Sequence, residues 1–335
     1  MNKSIYIPVL VVFGVLCSTF TVITVGDMND TIRGIVLAKG DNNVYKQVYN
    51  KGSTWNKTTT RTTTTTITTP PPPTTKTTTT NYVNLPKGLY PVREWTPFSL
   101  NDAAVSEYPE LAFYKLINRV DYLCLDRMRL GNYDDGGWDI CLAGSYEPTR
   151  NNCLVYSFGI NNDWTFDDAV TKKFGCIVRA FDPTMEKYPE ATMRGDKIHF
   201  YPIGIYASNT TIKLKRRMCE VKTLGSLRKQ FQEEETIIDY LKMDVEGSEW
   251  PSLDAMFKEG FLTKYVKQIG VEYHTTGVKR TAKRLLMVLV KLEELGFRKW
   301  NVHWNMHCLP QNRDPLSITY CTEVYYINTN IIKKV

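Results

Sequence analysis

No arginine-rich tract occurs in the 335 residues, and the net charge is only +7. Nucleic acid is therefore not expected as a partner, because phosphate backbones are bound by clustered Lys and Arg. The 8 cysteines and 4 histidines include no Cys-X-X-Cys spacing and no His/Cys cluster. That excludes a structural zinc site, and no metal is expected. Charge is missing altogether from residues 5–25. Such a run can cross a bilayer. Lys3 precedes it, while Asp27 and Asp30 follow, which puts residues 1–4 in the cytosol and the rest in a lumen or outside the cell. A cleaved signal peptide is the competing reading, but the run is long and no clean small-X-small site follows it. Between residues 58 and 80 apolar residues are nearly absent, threonine dominates, and Pro70 to Pro73 form a block. With almost nothing to bury, this stretch cannot offset its chain entropy. Residues 26–85 thus predict a Thr/Pro-rich stalk, open to O-glycosylation, with Asn56 and Asn209 as acceptors for N-linked glycans.

The cysteines suit an oxidising compartment. Cys17 lies in the expected anchor, so an odd number remains and at least one thiol is free or pairs with another chain. Cys308 and Cys321 flank the expected last hairpin, and Cys124 can pair with Cys141; connectivity stays open. Residues 86–150 form a lead-in region. It includes a predicted helix over 103–118 and the segment RLGNYDDGGWDICLAG, which reads as a turn into an edge strand or as a loop over a ligand site. Asp134 and Asp135 in it read as solvated turn acids.

Residues 151–335 carry the organised part. Residues 154–158 are a short apolar run that suits a buried strand. Gly159 breaks it, and Asn161, Asn162 and Asp163 make a polar turn. Phe166, Ala169, Val170 and Phe174 then mark a helix that Gly175 stops. Residues 177–181 form a second apolar run, ending on Asp182. Strand, glycine turn, helix, strand and terminal acid are the first half of a nucleotide-binding α/β fold. The turn has one glycine, not Gly-X-Gly-X-X-Gly, which argues against a nicotinamide cofactor. Further strands are expected at 198–205, 237–244 and 266–273, and helices at 223–233, 249–259 and 281–295. Residues 297–303 and 322–327 form a last strand pair.

Four segments in order, DGGWDIC, SFGINNDWTFDDAV, FDP and LKMDVEGSEW, resemble S-adenosylmethionine-dependent methyltransferases of the FkbM-like class, and within it the membrane-anchored methyltransferase-like protein twenty-four family. The resemblance covers residues 122–327. It implies a Rossmann-like class I methyltransferase fold: α/β, with a mostly parallel seven-stranded sheet, helices on both faces and an antiparallel C-terminal hairpin. It implies S-adenosyl-L-methionine as cofactor, bordered by Phe158, Gly159, Ile160, Asn161 and Asp163, with Phe181, Asp182 and Pro183 at the ribose and Gly247 in the facing loop. Asp244, Glu246 and His274 are the candidates for removing an acceptor proton; a polar strand end is the plain alternative for His274. His199, His303 and His307 read as structural or surface residues, and Trp250 as helix core.

Function is thus expected to be O-methylation of a luminal glycan or glycoprotein by a single-pass type II protein of the Golgi or another secretory-pathway membrane, or by a secreted form of it. Two alternatives are a Golgi-type glycosyltransferase, with Asp244 and Glu246 on a divalent cation, and a non-catalytic stalked surface protein.

Overall fold

The computed structural model describes residues 20–26, 32–40, 43–50, 85–92, 94–101, 103–214, 217–275, 278–308 and 319–332. The chain divides into two units, Met1–Thr77 and Thr78–Val335. In the first, Phe20–Gly26, Ile32–Gly40 and Asn43–Asn50 form a three-stranded antiparallel sheet. This differs from the spacer expected after residue 26. Ile32, Ile35, Val36, Val44, Tyr45 and Val48 are the β-branched and aromatic types that favour strands. Of the expected anchor, residues 5–19 lie outside the described residues, and its C-terminal end is the strand Phe20–Gly26 instead of a helix. Among the described residues no helix is long and apolar enough to cross a membrane. Residues 1–4 and the Thr/Pro segment at 58–80 also lie outside them.

The second unit is built on an eight-stranded sheet. Its strands are β1 (Leu154–Phe158), β2 (Ile177–Phe181), β3 (Thr192–Arg194), β4 (Ile198–Tyr201), β5 (Ile238–Met243), β6 (Val266–His274), β7 (Phe297–Trp304) and β8 (Cys321–Asn328). Their spatial order is β3-β4-β2-β1-β5-β6-β8-β7. The five strands from β4 to β6 are parallel, and β8 and β7 add the antiparallel hairpin. The expected mostly parallel sheet is present, with one strand more than expected: β3, an exposed antiparallel edge strand of only three residues. β1 and β5 are buried along their whole length, as parallel strands covered on both faces must be.

Helices cover the two faces. On one, Leu154, Tyr156 and Phe158 of β1 join a core with Pro109–Ile117, α2 (Leu224–Gln230), α3 (Glu249–Glu259) and α4 (Val278–Glu294). On the other, Val155 joins Val170 of α1 (Thr165–Phe174) and Trp138 of the hairpin Arg127–Leu130 with Trp138–Cys141. The segment at 129–144 therefore forms core at Trp138 and Ile140 as well as a turn. Gly175 ends α1 in the left-handed conformation at φ 72, where a side chain would strain the backbone.

Two expected elements split at prolines. The helix over 103–118 breaks into Ala103–Glu107 and Pro109–Ile117, because the residue before Pro109 is pushed out of helical geometry. The strand over 198–205 ends at Tyr201, because Pro202 has no N–H to continue a ladder. Gly204–Ile205 joins instead a small separate sheet with Thr210–Leu214 and Arg217–Lys222.

Disulfides link Cys124 to Cys141, Cys308 to Cys321, and Cys153 to Cys176. The first two match the pairings considered from sequence. The third joins the residues just before β1 and β2, which only the register of Leu154 against Ile177 brings together. Among the described residues Cys219 is a free, buried thiol, in keeping with the odd count expected outside residues 5–25.

Candidate functional site

All five strands are parallel, but the order of addition reverses between β1 and β5: β1, β2 and β4 are laid down outward on one side, and β5 and β6 on the other. Loops leaving β1 and β5 must part there, which opens a crevice at the carboxyl ends of the strands. A cavity of about 280 Å³ occupies this position. Phe158, Gly159, Asn161, Phe181, Asp182, Pro183 and Thr184 line one side, and Asp244, Val245, Glu246 and Ser248 another. Ile205, Ile212, Leu214 and Val221 of the small sheet form an apolar wall. Two wider grooves, of about 600 and 520 Å³, sit at the opposite, amino-terminal ends of the strands and share none of these residues.

The glycine turn is held from three directions. Gly159 has φ 81, and a Cβ on it would lie 1.7 Å from the Asp244 carbonyl oxygen. Absence of a side chain is thus required by the neighbouring backbone, and not only by a ligand. The Gly159 N–H donates to the Phe181 carbonyl at 2.9 Å, and the Asp244 N–H to the Phe158 carbonyl at 3.1 Å. Lys242, buried with its ammonium 5.1 Å from the Trp138 ring, donates to the carbonyls of Phe158 and Gly159. Replacing Lys242 by Met leaves both carbonyls without that donor. The expected cost is about 1–3 kcal/mol, read from the urea midpoint.

Asp182 is 4% exposed, and its carboxylate is fully engaged. Oδ2 accepts from the backbone N–H groups of Ile160 at 3.1 Å and Asn161 at 2.8 Å. Oδ1 accepts from the Thr184 N–H at 2.8 Å and its hydroxyl at 2.7 Å. A carboxylate offers about four lone-pair directions, so the protein itself uses all of them. Below, the Phe158 and Phe181 rings stack at 4.6 Å.

On the other side, Met243 pairs with Val271, so Asp244 and Glu272 emerge side by side from β5 and β6. His274 lies on the same face of β6 as Glu272, two residues on. Its Nδ1 is 2.8 Å from Oε1 of Glu249, a fully buried acid in the first turn of α3 that also accepts the Val245 N–H at 2.9 Å. Its Nε2 faces Glu246 Oε2 at 3.5 Å, Asp244 Oδ1 at 4.0 Å and Glu272 Oε2 at 4.0 Å. Glu272 Oε1 accepts from Asn305 Nδ2 at 2.9 Å, which also donates to Asp135 at 3.0 Å. Asp135 is therefore tied to this cluster, and not simply a solvated turn acid. Burial raises the Asp244 carboxyl above its ordinary value, against the lowering pull of Lys242 and His274. Burial and the Asp244 charge push Glu272 up to about 9. Burial alone would lower the His274 imidazole, but the hydrogen bond and charge of Glu249, helped by Glu272 and Asp244, outweigh it and push it up to about 9.

Of the residues singled out in the sequence, Phe158, Gly159, Asn161, Phe181, Asp182, Pro183, Asp244 and Glu246 line the cavity, and His274 reaches it through Asp244. Three do not line it. Asp163 accepts from the Thr165 N–H at 2.9 Å and from Asn132 at 2.8 Å, which ties it to the turn before α1 and to the lead-in loop. Ile160 is buried in the core. Gly247, at φ 99, shapes the loop between Glu246 and Ser248 without facing the cavity. Trp250 is core, stacked on Tyr273 at 4.5 Å. His303 pairs with Glu323 at 3.1 Å in the hairpin, and His199 lies on β4. Lys242, Glu249, Glu272 and Asn305 were not singled out. Glu272 could have been, because period-two spacing places it beside His274.

Comparison with known proteins agrees with this geometry. A family model described as "Methyltransferase domain" matches residues 96–321. The chain is similar to "Probable methyltransferase-like protein 24" of Homo sapiens and of Rattus norvegicus, at 24% identity over 207 residues in each case. Each match covers 57% of this chain and 56% of the relative, so the chain spans little more than half the length of these relatives. The family match takes in more than half the chain, from the lead-in region to the start of β8: the chain belongs to the methyltransferase domain family.

Proposed function

We propose that the chain is an S-adenosyl-L-methionine-dependent O-methyltransferase of the FkbM-like class. The two-ended character of the cavity carries this reading. Ile205, Ile212, Leu214 and Val221 make one end apolar, while Asp244 and Glu246 make the other acidic. The donor has matching ends: a flat base that leaves water readily, and a cationic sulfonium and ammonium that carboxylates attract. The residues present therefore suit it. Asp182 lies between these ends and takes the ribose, where rotation of the Thr184 hydroxyl releases one lone pair of Oδ1.

Bound here, the donor supplies a methyl group on a positively charged sulfur. The protein has to hold an acceptor hydroxyl in line with it and take away one proton. Asp244 does the latter: its carboxylate opens on the cavity, and burial lifts its basicity above that of an ordinary aspartate. A sulfonium held there would supply the methyl carbon and take up the carbon–sulfur electron pair, while Asp244 would hold the proton of the acceptor hydroxyl. Glu249 fixes the His274 ring beside this exchange.

The acceptor is proposed to be a luminal glycan or glycoprotein. Three disulfides, the uncharged run at 5–25 and the Thr/Pro segment support a type II protein of the secretory pathway, tethered or released. Family membership speaks against the glycosyltransferase alternative.

The test is binding of S-adenosylhomocysteine to the purified chain. At a hundred times its Kd the ligand should add about 2.7 kcal/mol of stability. Asp244→Asn should keep that affinity within about threefold and lower turnover on a glycan library by about 10²-fold or more. A chain that ignores S-adenosylhomocysteine and is stabilised by a UDP-sugar with Mn²⁺ would restore the glycosyltransferase reading.

A further inference from the structure

We propose that Asp244, Glu272 and His274 form a divalent-cation site at the acidic end of the cavity, with Glu246 closing it from the solvent side. Binding of the ion is independent of the methyltransferase reading; only its use rests on that reading. Three observations carry it.

The first is spacing. One donor atom from each of Asp244, Glu272 and His274 lies within 4.8 Å of the others. The separations from His274 Nε2 are 3.5 Å to Glu246 and 4.0 Å to both Asp244 and Glu272. An imidazolium simply ringed by carboxylates would close to about 2.7–2.9 Å. Donors around a cation bound at about 2.1–2.4 Å stand about 3.0–3.4 Å apart when adjacent and about 4.2–4.8 Å apart when opposite. The observed distances exceed the first pattern and lie between the adjacent and opposite separations of the second.

The second is support from behind. His274 Nδ1 is held by Glu249 at 2.8 Å, which turns Nε2 toward the shared centre. Glu272 Oε1 is held by Asn305 at 2.9 Å, which leaves Oε2 on the side of Nε2. Metal-bound imidazoles and carboxylates are oriented by outer partners of this kind. The third is unmet polarity: Glu249 Oε2 is buried without a hydrogen-bond partner.

One imidazole nitrogen and hard carboxylate oxygens, with room for water, suit Mn²⁺ or Mg²⁺. An acceptor hydroxyl on such an ion is acidified, and its proton passes to the Asp244 oxygen that does not ligate. The ion itself gains and loses no electron, and the methyl group moves as in the reaction proposed above.

The test uses Mn²⁺ alone, titrated into the metal-stripped full chain without donor or acceptor. Loss of the free-ion EPR signal reads binding. One saturable site per chain is expected, weakened at least about tenfold in Glu272→Gln and in Asp244→Asn. Circular dichroism confirms that each variant is folded. Absence of a saturable site in the wild-type chain overturns the proposal, as does equal binding by folded Glu272→Gln. S-adenosylhomocysteine affinity, measured in EDTA, separates the two readings. If Mn²⁺ binds and the nucleoside does not, the methyl-transfer reading fails alone; the converse result sinks the cation site alone.

Discussion

Gly159→Ala should lower the unfolding free energy by about 4 kcal/mol or more and abolish S-adenosylhomocysteine binding. Two costs add. A left-handed conformation costs a non-glycine residue about 1–2 kcal/mol. The new methyl group would also meet the Asp244 carbonyl at 1.7 Å, and this is rigid backbone at the end of a fully buried strand. Relief requires β1 and β5 to part at their carboxyl ends, which breaks the Asp244 N–H bond to Phe158 and shifts Lys242. A loss this large is a sizeable share of the about 5–15 kcal/mol that holds a domain together. The check is urea unfolding by circular dichroism. A variant as stable as the wild-type chain would mean that the turn can move away from β5, and the cavity wall would have to be redrawn.

Asp182→Ala should cost about 3–5 kcal/mol, and it bears on what this acid is for. Removal leaves three backbone N–H groups and a hydroxyl without their acceptor, of which Ile160 N–H is buried. Hydrogen bonds to a charged group contribute about 1.5–3 kcal/mol each, and water can replace those at Asn161 and Thr184 in part. An acid that only bound ribose would lose affinity on substitution and leave stability alone. An acid that braces the turn loses both together. Thermal melts of Asp182→Ala and Asp182→Asn, each paired with an S-adenosylhomocysteine titration, separate the cases. Unchanged melting with lost affinity would reduce Asp182 to a ligand contact.

Much of the α/β unit was legible because its signals are local. Apolar runs bounded by Gly159, Gly175 and Gly260 located strands and helices to within a residue or two. Where local signals conflicted, the reading failed: Pro109 and Pro202 sat inside runs that otherwise looked continuous. The candidate site was legible in half. Asp244, Glu246 and His274 stood out as polar residues at strand ends. Glu249 and Glu272 did not, because their meaning depends on β5 and β6 lying in register and on α3 turning back over them. Asp163 was misplaced for the same reason, since only the fold shows that it points at Thr165 and Asn132.

The three cystine bridges span 17, 23 and 13 residues of chain. Each therefore closes a short loop, and the bridge between Cys153 and Cys176 needs only β1 and β2 to pair. Bridges of this span need only local chain closure, and the thiol of Cys219 is buried away from exchange. Material for the experiments above is best obtained from a secretory host, since a reducing cytosol would deliver a chain lacking the clamp at the base of β1 and β2.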